Sequence, residues 1–221
     1  MEYIEAIINQ YSQIPDNERL ALFNLSRISN VLNFCFMMIE NNKTRSNILE
    51  RAFSDFEIQI MLIGCIYASL QYYIDHMYLL NPTKYNESDN KYLEKLRNYI
   101  QQMSKNDSYI SLIIKPMRNQ FMFHFDDAIY KDLDKEFIEK GSASFLSTQK
   151  QTTKDSFYHL PLGIIWRYSK IAHENKLIDK NEFTKMFQLN VRIGVDILRT
   201  NEKVIKVIIR GKCGKIRRSD R

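Results

Sequence analysis

Apolar residues recur at three- and four-residue spacing along most of the chain, and that period predicts helices. Tyr3, Ile4, Ile7, Ile8 and Tyr11 predict a short amphipathic helix over residues 2–13. Pro15-Asp16 breaks it and starts a second helix, running to about Asn42. Leu20, Phe23, Leu25, Ile28, Val31, Leu32, Cys35, Phe36 and Ile39 fall along its expected inner side. A strongly apolar helix follows over about 54–80, with Ser54 or Asp55 as N-cap and Asn81-Pro82-Thr83 as its stop. Ser88 or Asp89 caps the next, which carries Tyr92, Leu93, Leu96, Tyr99, Ile100 and Met103 to about Ser104. A fifth helical region spans about 109–139. Pro116 lacks a donor and crowds the preceding turn, so the helix kinks there or starts afresh with Pro116 in its first turn. Residues 142–156, rich in Ser, Thr, Gln and Lys, form the longest expected loop. Helices over about 158–175 and 179–201 complete the series, the second opened by a capping box of Asp179 and Glu182. The β-branched run 203–209 fits either a strand or a continuation of the last helix.

These elements predict an all-α bundle of about seven helices, a single domain over 1–202 followed by a basic tail, 203–221. Composition agrees. In 221 residues there are only 6 Gly and 4 Pro, too few turn formers for a many-stranded fold, and the 44% hydrophobic content supplies a core. Charge changes the picture more. The tail holds eight Lys or Arg against one Asp, so it carries +7 of a total of +6 and leaves the helical body near neutral. A general argument from basicity therefore concerns the tail, as an electrostatic arm for nucleic acid or as a solvated end.

Three widely spaced cysteines, Cys35, Cys65 and Cys213, without a CxxC pair, argue against a disulfide framework or a zinc-thiolate site. Cys35 and Cys65 sit in apolar runs and read as core residues. The acidic start Met1-Glu2-Tyr3-Ile4-Glu5 lacks the pattern of a cleavable signal. The apolar stretch 58–80 is long enough to span a bilayer, but Gln59, Gln71, Asp75 and His76 would be costly in lipid. It is expected to be buried in protein. The expectation is a cytoplasmic chain with no membrane association.

The most pointed chemistry lies in Lys115-Pro116-Met117-Arg118-Asn119-Gln120-Phe121-Met122-Phe123-His124-Phe125-Asp126-Asp127. An Arg followed by Asn precedes a His by six positions, and the His is framed by aromatics and followed by acids. This resembles the motif of the HEPN superfamily (higher eukaryotes and prokaryotes nucleotide-binding), an Arg and a polar residue a few positions before a His. The resemblance covers about ten residues and an all-helical chain of suitable size. It implies a metal-independent endoribonuclease, with His124 as general acid/base, Arg118 as clamp on the phosphate and transition state, and Asn119 as an orienting group. It further implies a homodimer whose two motifs share a composite site. The implied role is prokaryotic antiviral defence, as an abortive-infection or toxin-like protein acting on RNA, with an antitoxin or regulator as partner. Neither a cofactor nor a metal is expected. Some toxin members carry a Tyr two residues after the His, where this chain has Asp126.

The residue types suit that chemistry. An imidazole titrates near neutrality and can move the 2′-hydroxyl proton. A guanidinium offers a permanent cationic fork to phosphate oxygens, and an amide can hold phosphate or orient the His. On an ideal helix, residues six apart lie roughly 120° apart around the axis, so Arg118 and His124 need the irregularity that Pro116 introduces, or the reach of the Arg side chain. Arg167…His173 has the same spacing but lacks the polar neighbour and aromatic frame, and reads as coincidence. Asp75-His76 reads as a satisfied polar pair in a core helix. The alternative to the enzyme is a catalytically silent helical module binding nucleotide, nucleic acid or protein.

Overall fold

The computed structural model describes residues 3–8, 14–44, 48–119, 168–179, 183–210 and 213–219. The body is all-α. Helix α1 (Asp16–Lys43) begins directly after extended Pro15, with Asp16 and Glu18 in its first turn, where acids meet the positive end of the helix dipole. Helix α2 (Ile48–Asp75) returns alongside it. The pairs Asn42–Asp55, Ile28–Cys65 and Asn17–Tyr78 show the two running antiparallel along their whole length. Two 3₁₀ turns, Met77–Leu80 and Pro82–Lys84, lead to α3 (Glu87–Met103). Its N-cap is Asn86, two or three residues before the expected Ser88 or Asp89, and the Asn86 side chain accepts from the Asp89 amide.

A π-turn (Ile110–Ile114) continues into the short α4 (Lys115–Arg118). A helix whose described residues are 168–174, α5, and the long α6 (Phe183–Ile209) follow. The α5 helix closes in a Schellman turn, Leu177 N–H to Ala172 O and Lys176 N–H to His173 O, with Lys176 at φ 57°. Six α-helices are thus present among the described residues. The expected 109–139 helix beyond residue 119, and all of the 142–156 loop, lie outside them.

The α6 helix is the axis of the bundle and packs on α1, α2 and α3. It runs parallel to α2, through Gln59–Asn190 and Tyr73–Asn201, and antiparallel to α3, through Asp89–Lys203 and Lys95–Asp196. Gly194 is the point of closest approach. A Cβ there would lie 3.0 Å from Leu62 Cδ1 and 3.2 Å from Phe36 Cζ. The core is built from one stripe of each helix, including Leu25, Leu32, Leu62, Ile66, Leu93, Leu96, Ile193 and Ile197. The apolar 58–80 stretch supplies Ile58, Leu62, Ile63, Ile66, Leu70 and Tyr73 to this core, as expected of a helix buried in protein.

Two expectations are corrected and one open alternative is settled. Residues 3–8 form strand β1 (Tyr3–Ile8), not a helix, paired antiparallel with β2 (Cys213–Ser219), Tyr3 opposite Ser219 and Glu5 opposite Arg217. The segment's β-branched and aromatic residues serve either period, and a partner strand decides between them. The 203–209 run is helix, because Val204 and Ile208 enter the core at helical spacing; the helical body therefore extends beyond residue 202, and the basic end is part helix, part strand. On α1, Leu20, Phe23 and Val31 were placed inside. They are exposed, Phe23 to 66%, while Ala21, Leu22 and Leu25 face inward.

A polar chain crosses the core. Tyr109 Oη donates to Asn190 Oδ1 at 2.7 Å, and Asn190 Nδ2 donates to Gln59 Oε1 at 2.7 Å. It pins the start of the π-turn to α6 and α6 to α2.

Candidate functional site

Arg118 owes its position to the π-turn. Pro116 has no amide hydrogen to offer the preceding turn, and the ladder widens there instead of breaking: Lys115 N–H bonds to Ile110 O, five residues back. Backbone at Ile114, Lys115 and Asn119 stays in the right-handed helical region. Pro116 thus stands in the first turn of α4, one of the two expected outcomes, and the backbone passes from the π-turn into α4 without leaving the right-handed helical region. The expected help from exposed N–H groups at a helix start does not apply to Arg118. One extra residue in the turn instead rotates everything downstream. Ile110, Ile113, Ile114 and Met117 are buried, and Arg118 is left half-buried at the edge.

Two neighbours hold the guanidinium. Its carbon lies 5.0 Å from the centroid of the Tyr67 ring on α2, a cation–π distance. Its Nη1 donates to Asn119 Oδ1 at 2.8 Å. Asn119, expected to touch phosphate or orient a histidine, here orients the arginine; its own side chain is exposed. His124 lies outside the described residues. Arg118 and Asn119 are thus brought together, by a bond between adjacent residues.

Arg118 forms one wall of a groove of about 490 Å³ between α1 and α2. From α1 come Asn24, Arg27, Ile28 and Val31; from α2 come Met61, Gly64, Cys65, Ala68 and Tyr72. Each set follows the i, i+3, i+4, i+7 rule for one helix face. The floor is apolar, and two guanidiniums stand at its walls. The volume is in the range of small-molecule sites. Burial raises the Tyr72 phenol above its ordinary value, and the Asn24 amide beside it acts in the opposite direction. The Tyr72 hydroxyl is nonetheless buried without a hydrogen bond of good geometry. Burial also pushes the Cys65 thiol up to about 12, so at neutral pH it is no nucleophile.

The other histidines in the described region do structural work or face solvent. His76 Nδ1 lies 2.8 Å from the Tyr72 carbonyl, which can only accept, so that nitrogen carries the proton. The His76 ring stacks on Tyr72 at 4.2 Å between centroids, so its partner is Tyr72 and not the adjacent Asp75. His173 is exposed at the end of α5. Among the described residues, no three His, Cys, Asp or Glu side chains are grouped to hold a metal ion.

Arg27, Asn24, Tyr67 and Tyr72 were not singled out from sequence. Their one legible sign was a polar residue, Arg27, interrupting a series of large apolar residues at positions 20, 23, 31 and 34. No protein-family model, curated protein or solved structure matches this chain.

Proposed function

We propose that the chain is a metal-independent endoribonuclease of HEPN type. The observation that supports it most is the held guanidinium of Arg118, fixed by Tyr67 and Asn119 at the wall of a groove with a second cation, Arg27. A preoriented fork of this kind is what a phosphorane transition state needs. In the reaction, His124 takes the 2′-hydroxyl proton and the 2′-oxygen attacks phosphorus. The bond from phosphorus to the 5′-oxygen breaks, and the leaving oxygen regains a proton. The products are a 2′,3′-cyclic phosphate end and a 5′-hydroxyl end. Arg118 neutralises the charge that grows on the non-bridging oxygens.

The functional unit is a homodimer with a composite site. Leu20, Phe23, Phe34 and Met37 expose apolar surface on α1 as two pairs, each three residues apart. Exposed apolar surface of this kind suits a second copy of the chain. By length and composition α1 could also cross a membrane, with 22% of its most apolar window buried. The dimer accounts for that surface without lipid. The role is cytoplasmic antiviral defence by RNA cleavage, with an antitoxin or regulator controlling it.

The test is incubation of purified protein with single-stranded RNA in excess chelator. Cutting that leaves cyclic phosphate ends, and that Arg118→Ala and His124→Ala each abolish, supports the enzyme. Equal cutting by both variants, or binding of RNA without any cutting, refutes it and favours a silent binding module. Phe34→Glu should turn a dimer into a monomer by light scattering. A wild-type monomer that sediments with anionic lipid vesicles would refute the dimer.

A further inference from the structure

The groove is asymmetric in chemistry. Its floor of Ile28, Val31, Met61, Gly64 and Ala68 is apolar, and a glycine and an alanine stand where larger side chains would fill it. Its walls are cationic, Arg118 from α4 and Arg27 from α1. The Tyr72 hydroxyl is buried beneath the wall without a well-formed hydrogen bond, with the Asn24 amide close to it. Few ligands match an apolar slab next to two cations, one held by Tyr67 and Asn119 and the other exposed on α1. A metabolite carboxylate matches the cations and leaves the floor bare. A lipid tail matches the floor and leaves the cations bare. A nucleotide matches both, with a planar base that prefers an apolar or aromatic surface and a phosphate that prefers a guanidinium fork.

We infer that this groove is a nucleotide subsite for single-stranded RNA, in which Arg27 holds the phosphate next to the one held by Arg118 and the base lies on the Gly64–Ala68 floor. The inference rests on reading Arg118 as a phosphate clamp, and it adds Arg27 as the residue that sets the register of the strand. Both cations belong to different helices, so the strand crosses from α4 to α1. The small residues leave room for any base, and recognition is through stacking and charge. The site is therefore tolerant of sequence but demands a base.

The experiment uses the full chain and a short single-stranded RNA in which every ribose is 2′-O-methylated, so that binding is read without cleavage. Affinity is measured by fluorescence anisotropy across a salt series. Arg27→Gln should weaken binding about tenfold and flatten the dependence of log affinity on log salt by about 0.7, the value for one lost contact to a single strand. Ala68→Leu fills the floor without touching charge. It should weaken binding several-fold with the salt slope unchanged. Lys105→Gln, an exposed cation in the turn after α3, should change neither. Inorganic polyphosphate, which lacks bases, should compete poorly.

Wild-type affinity and slope in both Arg27→Gln and Ala68→Leu overturn the inference. So does weakening by Arg27→Gln with Ala68→Leu unaffected, which leaves a bare phosphate contact, and so does full competition by polyphosphate. Cleavage of ordinary RNA is scored separately. A chain that never cuts, yet binds with the pattern above, loses the ribonuclease reading and keeps the subsite. A chain that cuts while both groove variants bind normally keeps the first and loses the second.

Discussion

The polar chain Tyr109–Asn190–Gln59 gives the sharpest test of how the bundle is held. All three residues are buried; Gln59 and Asn190 are fully so. Asn190 uses both ends of its amide, accepting from Tyr109 and donating to Gln59. Gln59 Nε2 has no hydrogen-bond partner, so the chain already ends in one unsatisfied donor. Tyr109→Phe removes one hydroxyl and strands only Asn190 Oδ1, at a cost of about 1–3 kcal/mol. Asn190→Ala strands two groups. Gln59 Oε1 loses its donor, and Tyr109 Oη keeps only the Met186 carbonyl at 3.4 Å. By the same reckoning the cost is about 2–6 kcal/mol, before adding the small cavity left behind. Replacing the whole chain together, as Tyr109→Phe, Asn190→Leu and Gln59→Met, removes every orphan and also the pre-existing one. That triple variant should lie within about 1.5 kcal/mol of wild type, as volume-conserving swaps do. Urea unfolding followed by far-UV circular dichroism reads all three, provided the slope with denaturant is unchanged. In thermal scans the shift should be about 2–4 °C per kcal/mol for a chain of this length. The reasoning fails if Asn190→Ala costs less than Tyr109→Phe. It fails equally if the triple variant is as damaged as Asn190→Ala.

Other expectations follow from the same structure. Gly194→Val should destabilise by about 1–3 kcal/mol, since a helix-propensity gain is outweighed by overpacking against Leu62 and Phe36; a stabilised variant by calorimetry would show that α6 can move away. Lys176→Gly should stabilise by about 1 kcal/mol, because a left-handed φ of 57° costs an L-residue what it does not cost glycine. Alkaline titration should unfold the protein: burial first, and then like charge, lifts Tyr85 and Tyr99 to about 12, and burial raises Tyr73 and Tyr109 as well. A raised folded-state value means the native state holds these protons more tightly. Their stabilisation is complete below about pH 10, the ordinary tyrosine value, and is lost as pH climbs towards 12 and beyond. Tyrosinate absorbance and helical signal should change together above pH 10, and a set of tyrosines ionising at ordinary values in the folded protein would contradict it. Asn119→Ala should lower RNA cleavage about tenfold while Arg118→Ala abolishes it, since the first loosens the guanidinium and the second removes it. Equal loss in both would mean Asn119 acts on the substrate itself.

The sequence by itself determined that the chain folds as helices and where α1 and α3 begin and end, whereas α2 starts six residues before its expected cap and α6 runs eight beyond its expected end. Pro15, Asn81-Pro82 and the polar turn at 105–108 are local signals that act through backbone sterics, whatever the rest of the molecule does. It also determined that Arg118 and Asn119 stand together, because neighbours in sequence need no fold to meet. What tertiary structure decided was everything that depends on a partner from far away. The first residues become a strand because the last ones lie beside them, and an ambiguous period cannot announce that. Which side of α1 faces inward was set by where α2 and α6 lie, and it left Phe23 and Leu20 outside, although their spacing fits a core stripe. The passage of a helix through Pro116 depended on the π-turn, which the burial of Ile110, Ile113 and Ile114 holds in place. The groove is the clearest case. Arg27 and Arg118 are 91 positions apart in sequence, and only the packing of α1 and α4 against α2 brings both cations to one groove.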